Sequence, residues 1–440
     1  MRRFISLILA FMVVIVPIGC ASLLEDEMRT ERPHQHDPYE RPPEEQIEVS
    51  DFEELMEEIL GLIMQHADTG LIVANSYDGD ITADVERASH EIMNNDPIGV
   101  FAVADITATT NRIVSFFEVE ISIEYKRTKQ QLDSLVNIST ERYLSTELLN
   151  IMSDYLDEAV FRTSLRITGD DIIGFARDVY YMNPRRIYML PVIAVETFRG
   201  SGDDKIFEVR FGFASIAQAS ILRRYADTLN IYVRHNAILA VGETDAEILL
   251  SLASNLIAST GFDDGTARTI SEHGAQNPAA TAYGALVTGN AVGEGFAMAF
   301  KALCDELGLD CRVVLGHIDG MVHAWNIVAL EGDFYHIDVA MGAVGGIETA
   351  FLKTDLDFSE RYTWNRARTP PCVGLLTYED IVGTEEEEEE PDDGTENPDR
   401  QPGEDDGETL APPNSEAEEP VGQSNEETSP PPEEPDDDDE

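Results

Sequence analysis

Two residues in the second half of the chain are of the right types and spacing to do acid–base chemistry together. His323 opens the run HAWNIVAL, Asp338 ends the run FYHID, and the short turn EGD lies between the two runs. The pattern predicts two strands of one antiparallel sheet, so the imidazole and the carboxylate can sit side by side. A carboxylate at one ring nitrogen fixes the tautomer, which leaves the other nitrogen free to take a proton. Such a base needs something to activate. In the upstream stretch TGNAVGEGFAMAF, Gly289, Gly293 and Gly295 form a tight turn, and Phe296, Ala297, Ala299, Phe300 and Leu303 supply the apolar face of a helix. A thiol at such a helix start would be drawn toward thiolate by the free backbone N–H groups. The chain has Gly293 there, with no side chain at all. Cys304 lies further along the same helix, about 16 Å away at 1.5 Å per residue. Cys311 begins the strand run CRVVLG and reads as buried, Glu294 points about 100° away from Gly293, and Thr288 is the nearest upstream hydroxyl.

The run YGALVTGNAVGEGFAMAFKALCDELGLDCRVVLG from Tyr283, followed by HAWNIVAL and FYHIDVAMG, resembles the transglutaminase-like superfamily. That family keeps a Cys–His–Asp triad on a papain-like α+β core, with the cysteine in a G-x-C-E-G-Y-A-type turn that opens a helix. The resemblance implies that His323 and Asp338 are the family histidine and aspartate, and that Gly293 stands in the cysteine's place. It further implies that Trp325 covers the imidazole and that Trp325 and Glu294 face a bound ligand. Phe296 replaces a frequent tyrosine. Two functions follow as expectations. One is a noncatalytic member whose residual cleft binds a peptide, a peptidoglycan stem or a partner protein. The other is an active amide-bond hydrolase or acyl transferase using His323 and Asp338 with water or another nucleophile. A purely structural wall-spacing role is a third. The bland reading of His323 and Asp338 is a buried hydrogen bond that holds the sheet.

The elements around this pair form an α+β chain. Residues 51–140 and 141–227 read as two related modules, each with the order helix, strand, helix, strand, strand, helix. Alternation such as EVEISIEY suits half-buried antiparallel sheets with helices on one face. Tyr180, Tyr181 and Tyr188 are candidates to line a groove, with core packing the simpler reading. Ile238 to Thr260 reads as one long amphipathic helix ended by Gly261, leading into a transglutaminase-like domain over 228–383.

The 440 residues carry a formal charge of −55. From Thr384 to Glu440 there are 26 acids against one base, Arg400. Too little there is apolar to offset ordering entropy, which predicts a disordered acidic tail. Nucleic acid is excluded as a partner class, since phosphate binding needs clustered Lys and Arg. At the other end, MRR, an apolar run from Phe4 to Ile18, then Gly19 and Cys20 resemble a bacterial lipoprotein signal, although Pro17 replaces the usual Leu. That resemblance implies lipidation at Cys20 and an extracytoplasmic chain anchored to the cell membrane through the lipid bilayer. An uncleaved anchor or a plain signal peptidase site are the alternatives. Residues 21–50 then read as a disordered spacer in which His34 and His36 are solvated. The remaining cysteines, Cys304, Cys311 and Cys372, permit one disulfide or three buried thiols. No C-x-x-C or H-x-x-x-H spacing points to a metal, and no cofactor is implied.

Overall fold

The computed structural model describes residues 47–213 and 219–383. Cys20, His34, His36 and the acidic tail lie outside the described residues. The chain is α+β, and its first half is built twice on one plan. In the first module β1 (Ile47–Val49), α1 (Phe52–Gln65), β2 (Thr69–Ala74), α2 (Ile81–Asn95), α3 (Pro97–Ala102), β3 (Val103–Ile113) and β4 (Phe116–Tyr125) form a sheet of order β1-β2-β4-β3. After a short α4 (Lys129–Asp133), the second module has β5 (Leu135–Asn137), α5 (Glu141–Asp154), β6 (Glu158–Thr163), α6 (Gly169–Met182), β7 (Val192–Arg199) and β8 (Lys205–Gly212), with the order β5-β6-β8-β7. In both, the first two strands are parallel and the last two form a hairpin.

Several sequence expectations shift by a few residues. Each module opens with a short strand, so β1 falls inside the expected spacer and β5 falls before the expected boundary at 140/141. The stretch PIGVFA is the helix α3. Asp96 caps it by accepting from Ile98 and Gly99, and Pro97 stands in its first turn, a favoured start. Tyr180, Tyr181 and Tyr188 are all buried in packing. Module 2 and the downstream core share one continuous hydrophobic core, whereas module 1 centres on a second one that Val160 and Ile206 of module 2 join.

The core begins with α7 (Ala219–Ile238) and α8 (Asp245–Ser259). The helix expected from Ile238 to Thr260 is α8, which starts seven residues later than expected, and Ile238 itself ends α7. The break comes at 239–244, where Thr244 and Glu247 form a capping box that starts α8, and Gly261 opens a strand instead of ending a helix. Next come β9 (Gly261–Phe262), a single turn α9 (Asp264–Ala267), β10 (Asn290–Ala291), α10 (Gly293–Leu307), β11 (Cys311–Ile318), β12 (Met321–Leu330), β13 (Asp333–Ile337), α11 (Val339–Gly345), α12 (Asp355–Phe358) and β14 (Tyr362–Trp364). The antiparallel sheet has the order β13-β12-β11-β14. Helix α10 packs between α7, α8 and α11 and lies on β11 and β12. Every residue from Gly293 to Phe300 is buried, as expected of a central helix.

Candidate active site

Two tight turns position the candidate pair. Asp319 and Gly320 both have positive φ, as do Glu331 and Gly332, so both hairpins close with two residues in the conformation that matches strand twist. The resulting register sets His323 opposite Gly316 and Asn326 opposite Ile337. Asp338, one residue beyond Ile337, then reaches the level of Trp325 on the face shared with His323.

The geometry is that of an oriented base. His323 Nε2 lies 2.7 Å from Asp338 Oδ2, and Tyr362 Oη donates to that same oxygen at 2.8 Å. Asp338 Oδ1 accepts from Met341 N at 3.0 Å, capping α11. An ionised carboxylate only accepts, so the proton of the neutral imidazole sits on Nε2 and its lone pair on Nδ1. All three side chains are buried. Burial and the Asp338 charge push the Tyr362 phenol well above its ordinary pKa, which keeps it a donor. Sequence reasoning missed Tyr362, which reaches the site through the pairing of β14 with β11.

The Nδ1 side of the ring faces Gly293. A Cβ built on Gly293 would lie under 3.0 Å from His323 Nδ1 and Cε1, and 3.3 Å from Ala324 O. The imidazole therefore occupies the space of any side chain at 293. Helix α10 starts without a side-chain cap, so the N–H groups of its first turn remain available to a negative charge. The pocket here is about 20 Å³, lined by Ala267, Ile270, His273, Val292, Gly293, Glu294, Val322 and His323, and holds about one water. The expected peptide-sized cleft is corrected accordingly, because the chain closes over the pair.

The two expected ligand-facing residues are internal. Glu294 accepts from Tyr181 Oη at 2.7 Å and from Gly274 N at 3.1 and 3.2 Å, tying α6 and the loop before α10 to the helix start. Burial, and then the Glu294 charge, push the Tyr181 phenol well up. Trp325 is 1% exposed, so it has no surface for a ligand. Its ring lies 6.3 Å from that of His323 and packs more closely on Tyr362, at 5.0 Å. Gly316 makes room for the indole, since a Cβ there would meet the Trp325 ring at 2.8 Å. His273, also missed, sits on a loop without periodic pattern. Its Nε2 donates to Gly316 O at 3.1 Å, while Nδ1 has no hydrogen-bond partner among the described residues and lies 3.9 Å from Glu294 Oε2. The Thr288 hydroxyl is held by Gly284 O at 2.7 Å, away from nucleophilic use.

A second group, the buried His336 and Cys372 with the partly exposed Asp355, brings three possible metal-ligand atoms within 4.8 Å of one another. The hydrogen bonds argue against a metal. Trp325 Nε1 donates to His336 Nδ1 at 2.9 Å, so the ring proton sits on Nε2 and points at Asp355, 2.9 Å away. The lone pair that a metal would need is already used. Cys304, Cys311 and Cys372 are all free and buried. Burial pushes the Cys304 thiol well above its ordinary pKa and that of Cys372 up to about 12.

Residues 241–339 match the family model of the transglutaminase-like superfamily. The chain carries a transglutaminase-like domain. The matched segment runs from the loop before α8 to the first residue of α11, so it includes Gly293, His323 and Asp338 and leaves both upstream modules outside. Among solved structures, a crystal structure of a TGase is similar at 12% identity over 52% of this chain and 63% of that one, with a TM-score of 0.24. A structure from Cytophaga hutchinsonii, assigned as a cysteine protease, is similar at 11% identity over 50% of this chain and 83% of that one, with a TM-score of 0.22. The chain spans less than two thirds of the length of the first of these. No curated protein matches the chain.

Proposed function

We propose that this transglutaminase-like protein is exported, membrane-anchored through Cys20 and noncatalytic, and that it works by binding a peptide or partner protein. The observation that carries the reading is at the start of α10. The His323 ring fills the space that a side chain at Gly293 would need, and the sequence resemblance sets Gly293 in the place of the family cysteine. No atom there can attack a carbonyl, and loss of a triad nucleophile costs about a million-fold in turnover. A pocket of about 20 Å³ holds no peptide, so binding falls to other surfaces.

The test is turnover of the full chain on amine-incorporation and peptide-hydrolysis substrates, beside His323→Ala. Wild type and variant should both match the blank. One observation favours a second reading: His323 Nδ1 presents a lone pair toward a pocket the size of one water, the arrangement of a base for direct hydrolysis. Turnover by wild type that disappears in His323→Ala would establish that reading and overturn the first. Anchoring is tested separately, because Cys20→Ser should release the chain from membranes; an unchanged fractionation removes Cys20 as the anchor.

A further inference from the structure

Module 1 leaves a sheet edge uncovered beside a groove. β3 is the outer strand of its sheet and pairs only with β4. Along its other side the backbone N–H and C=O groups have no strand partner among the described residues. Such an edge is a template for an added strand.

The helix-covered face of the sheet is sealed at β4, where Val119, Ile121 and Ile123 are buried. It is open at β3. Ile106 is buried, but Ala108, two residues on and therefore on the same face, is exposed. The gap between α2 and β3 is a cavity of about 310 Å³, within the size range of ligand sites. Glu86, Ser89 and His90 from one face of α2 line it, opposite Ile106, Ala108 and Thr110. In module 2 the start of α6 at Gly169 lies against Val195 of β7.

Charge selects the occupant. Residues 47–128 hold 17 Asp and Glu against four Lys and Arg. Of those four, Arg87 pairs with Asp84 and Arg127 with Glu208. A second copy of this edge would set two acidic surfaces against each other, and a polyanion would be repelled. We propose that the α2–β3 groove binds an extended basic polypeptide segment as an added strand on β3. Alternate side chains of that segment enter the groove, with a Lys or Arg meeting Glu86. This names a partner class for the binding reading above. The turnover assay reads the core and the following one reads β3, so each can fail alone.

The probe is a fluorescent peptide alternating Lys and Val, with a Glu and Val counterpart, titrated against the full chain by anisotropy. The basic peptide should saturate and the acidic one should not. Ala108→Trp fills the groove from an exposed position, and Glu86→Lys reverses its charge; each should weaken binding at least about tenfold, roughly what one lost anchor removes. Hydrogen exchange at β3 amides should slow when the basic peptide is present. Absence of saturable binding overturns the proposal. So does binding that survives Ala108→Trp, the mark of adsorption to the acidic tail. A dimer that forms without peptide and is lost in Ala108→Trp would replace the proposal with self-pairing of β3.

Discussion

Gly293→Ala puts the central geometric claim under load. The added methyl would lie under 3.0 Å from His323 Nδ1 and Cε1, whereas unstrained contacts need about 3.5 Å or more. The ring must therefore retreat by about 1 Å. Its Nε2 is held at 2.7 Å by Asp338, so the retreat must pull that hydrogen bond out of its present alignment. Overpacking costs about 1–3 kcal/mol, and losing a hydrogen bond to a charged group costs about 1.5–3 kcal/mol. Against these stands the helix preference of alanine over glycine, at most about 1 kcal/mol. The clash wins, with a net loss of about 2 kcal/mol. In a His323→Ala background the methyl meets no ring, and the same substitution should be neutral or stabilising by up to about 1 kcal/mol. A double-mutant cycle by urea unfolding should therefore read a coupling of about 2–3 kcal/mol. Equal effects of Gly293→Ala in both backgrounds would refute the reasoning, since the ring would then not be fixed in that space. The same clash bears on Gly293→Cys, which should recover little turnover unless the imidazole is displaced.

Four further outcomes follow from the buried groups. Tyr362→Phe removes one of three hydrogen bonds to Asp338 and should cost about 1–2 kcal/mol in unfolding free energy; a neutral variant would mean the phenol is not bonded there. Tyr181→Phe and Glu294→Gln should each destabilise and couple in a double-mutant cycle, and Glu294→Gln should speed hydrogen exchange at Gly274, whose N–H donates to that carboxylate. His336 has a pKa below its ordinary value, chiefly from burial, with Asp355 opposing. The unfolded chain then binds the proton first, so stability present above about pH 6.5 falls as pH drops below it; His336→Gln should show a shallower loss, and identical slopes would count against a neutral buried ring. Cys304, Cys311 and Cys372 should resist alkylation in the native chain and all react once it unfolds, whereas any rapid native labelling would contradict their burial.

The His323 and Asp338 pair is legible in sequence because local rules place it. Strand alternation and two-residue turns set the register without help from distant residues. The duplicated order of the modules is legible for the same reason, being a matter of local periodicity. Tyr362 is not, because it arrives through β14 after an irregular segment, and strand order across a sheet leaves no periodic trace. Glu294 is a subtler case. Helix geometry turns it away from the Gly293 position, as the 100° step requires, but its partners Tyr181 and Gly274 come from other elements and carry no signal near it. His273 is hidden likewise on an aperiodic loop. The start of α8 was written in the Thr244 and Glu247 capping box, and the apolar residues just upstream masked it.

The packing of His323, Asp338 and Tyr362 is accounted for by burial whether or not the chain turns over a substrate. Asp338 is fully buried and its two oxygens take three donors, from His323, Tyr362 and Met341. Removing a donor from a buried carboxylate leaves charge unsatisfied, at a cost of about 1–3 kcal/mol or more, a sizeable share of the 5–15 kcal/mol that holds a typical domain together. A nucleophile carries no such obligation. A thiol at 293 would bond weakly, and the imidazole fills its place in van der Waals contact. Under the noncatalytic reading proposed above, the physical penalties are unequal: a chain without a thiol at 293 strands no buried polar group, whereas one without His323 or Asp338 does. The base and its carboxylate persist as parts of the packing that joins β12, β13, α11 and β14, and their presence alone is no argument for turnover.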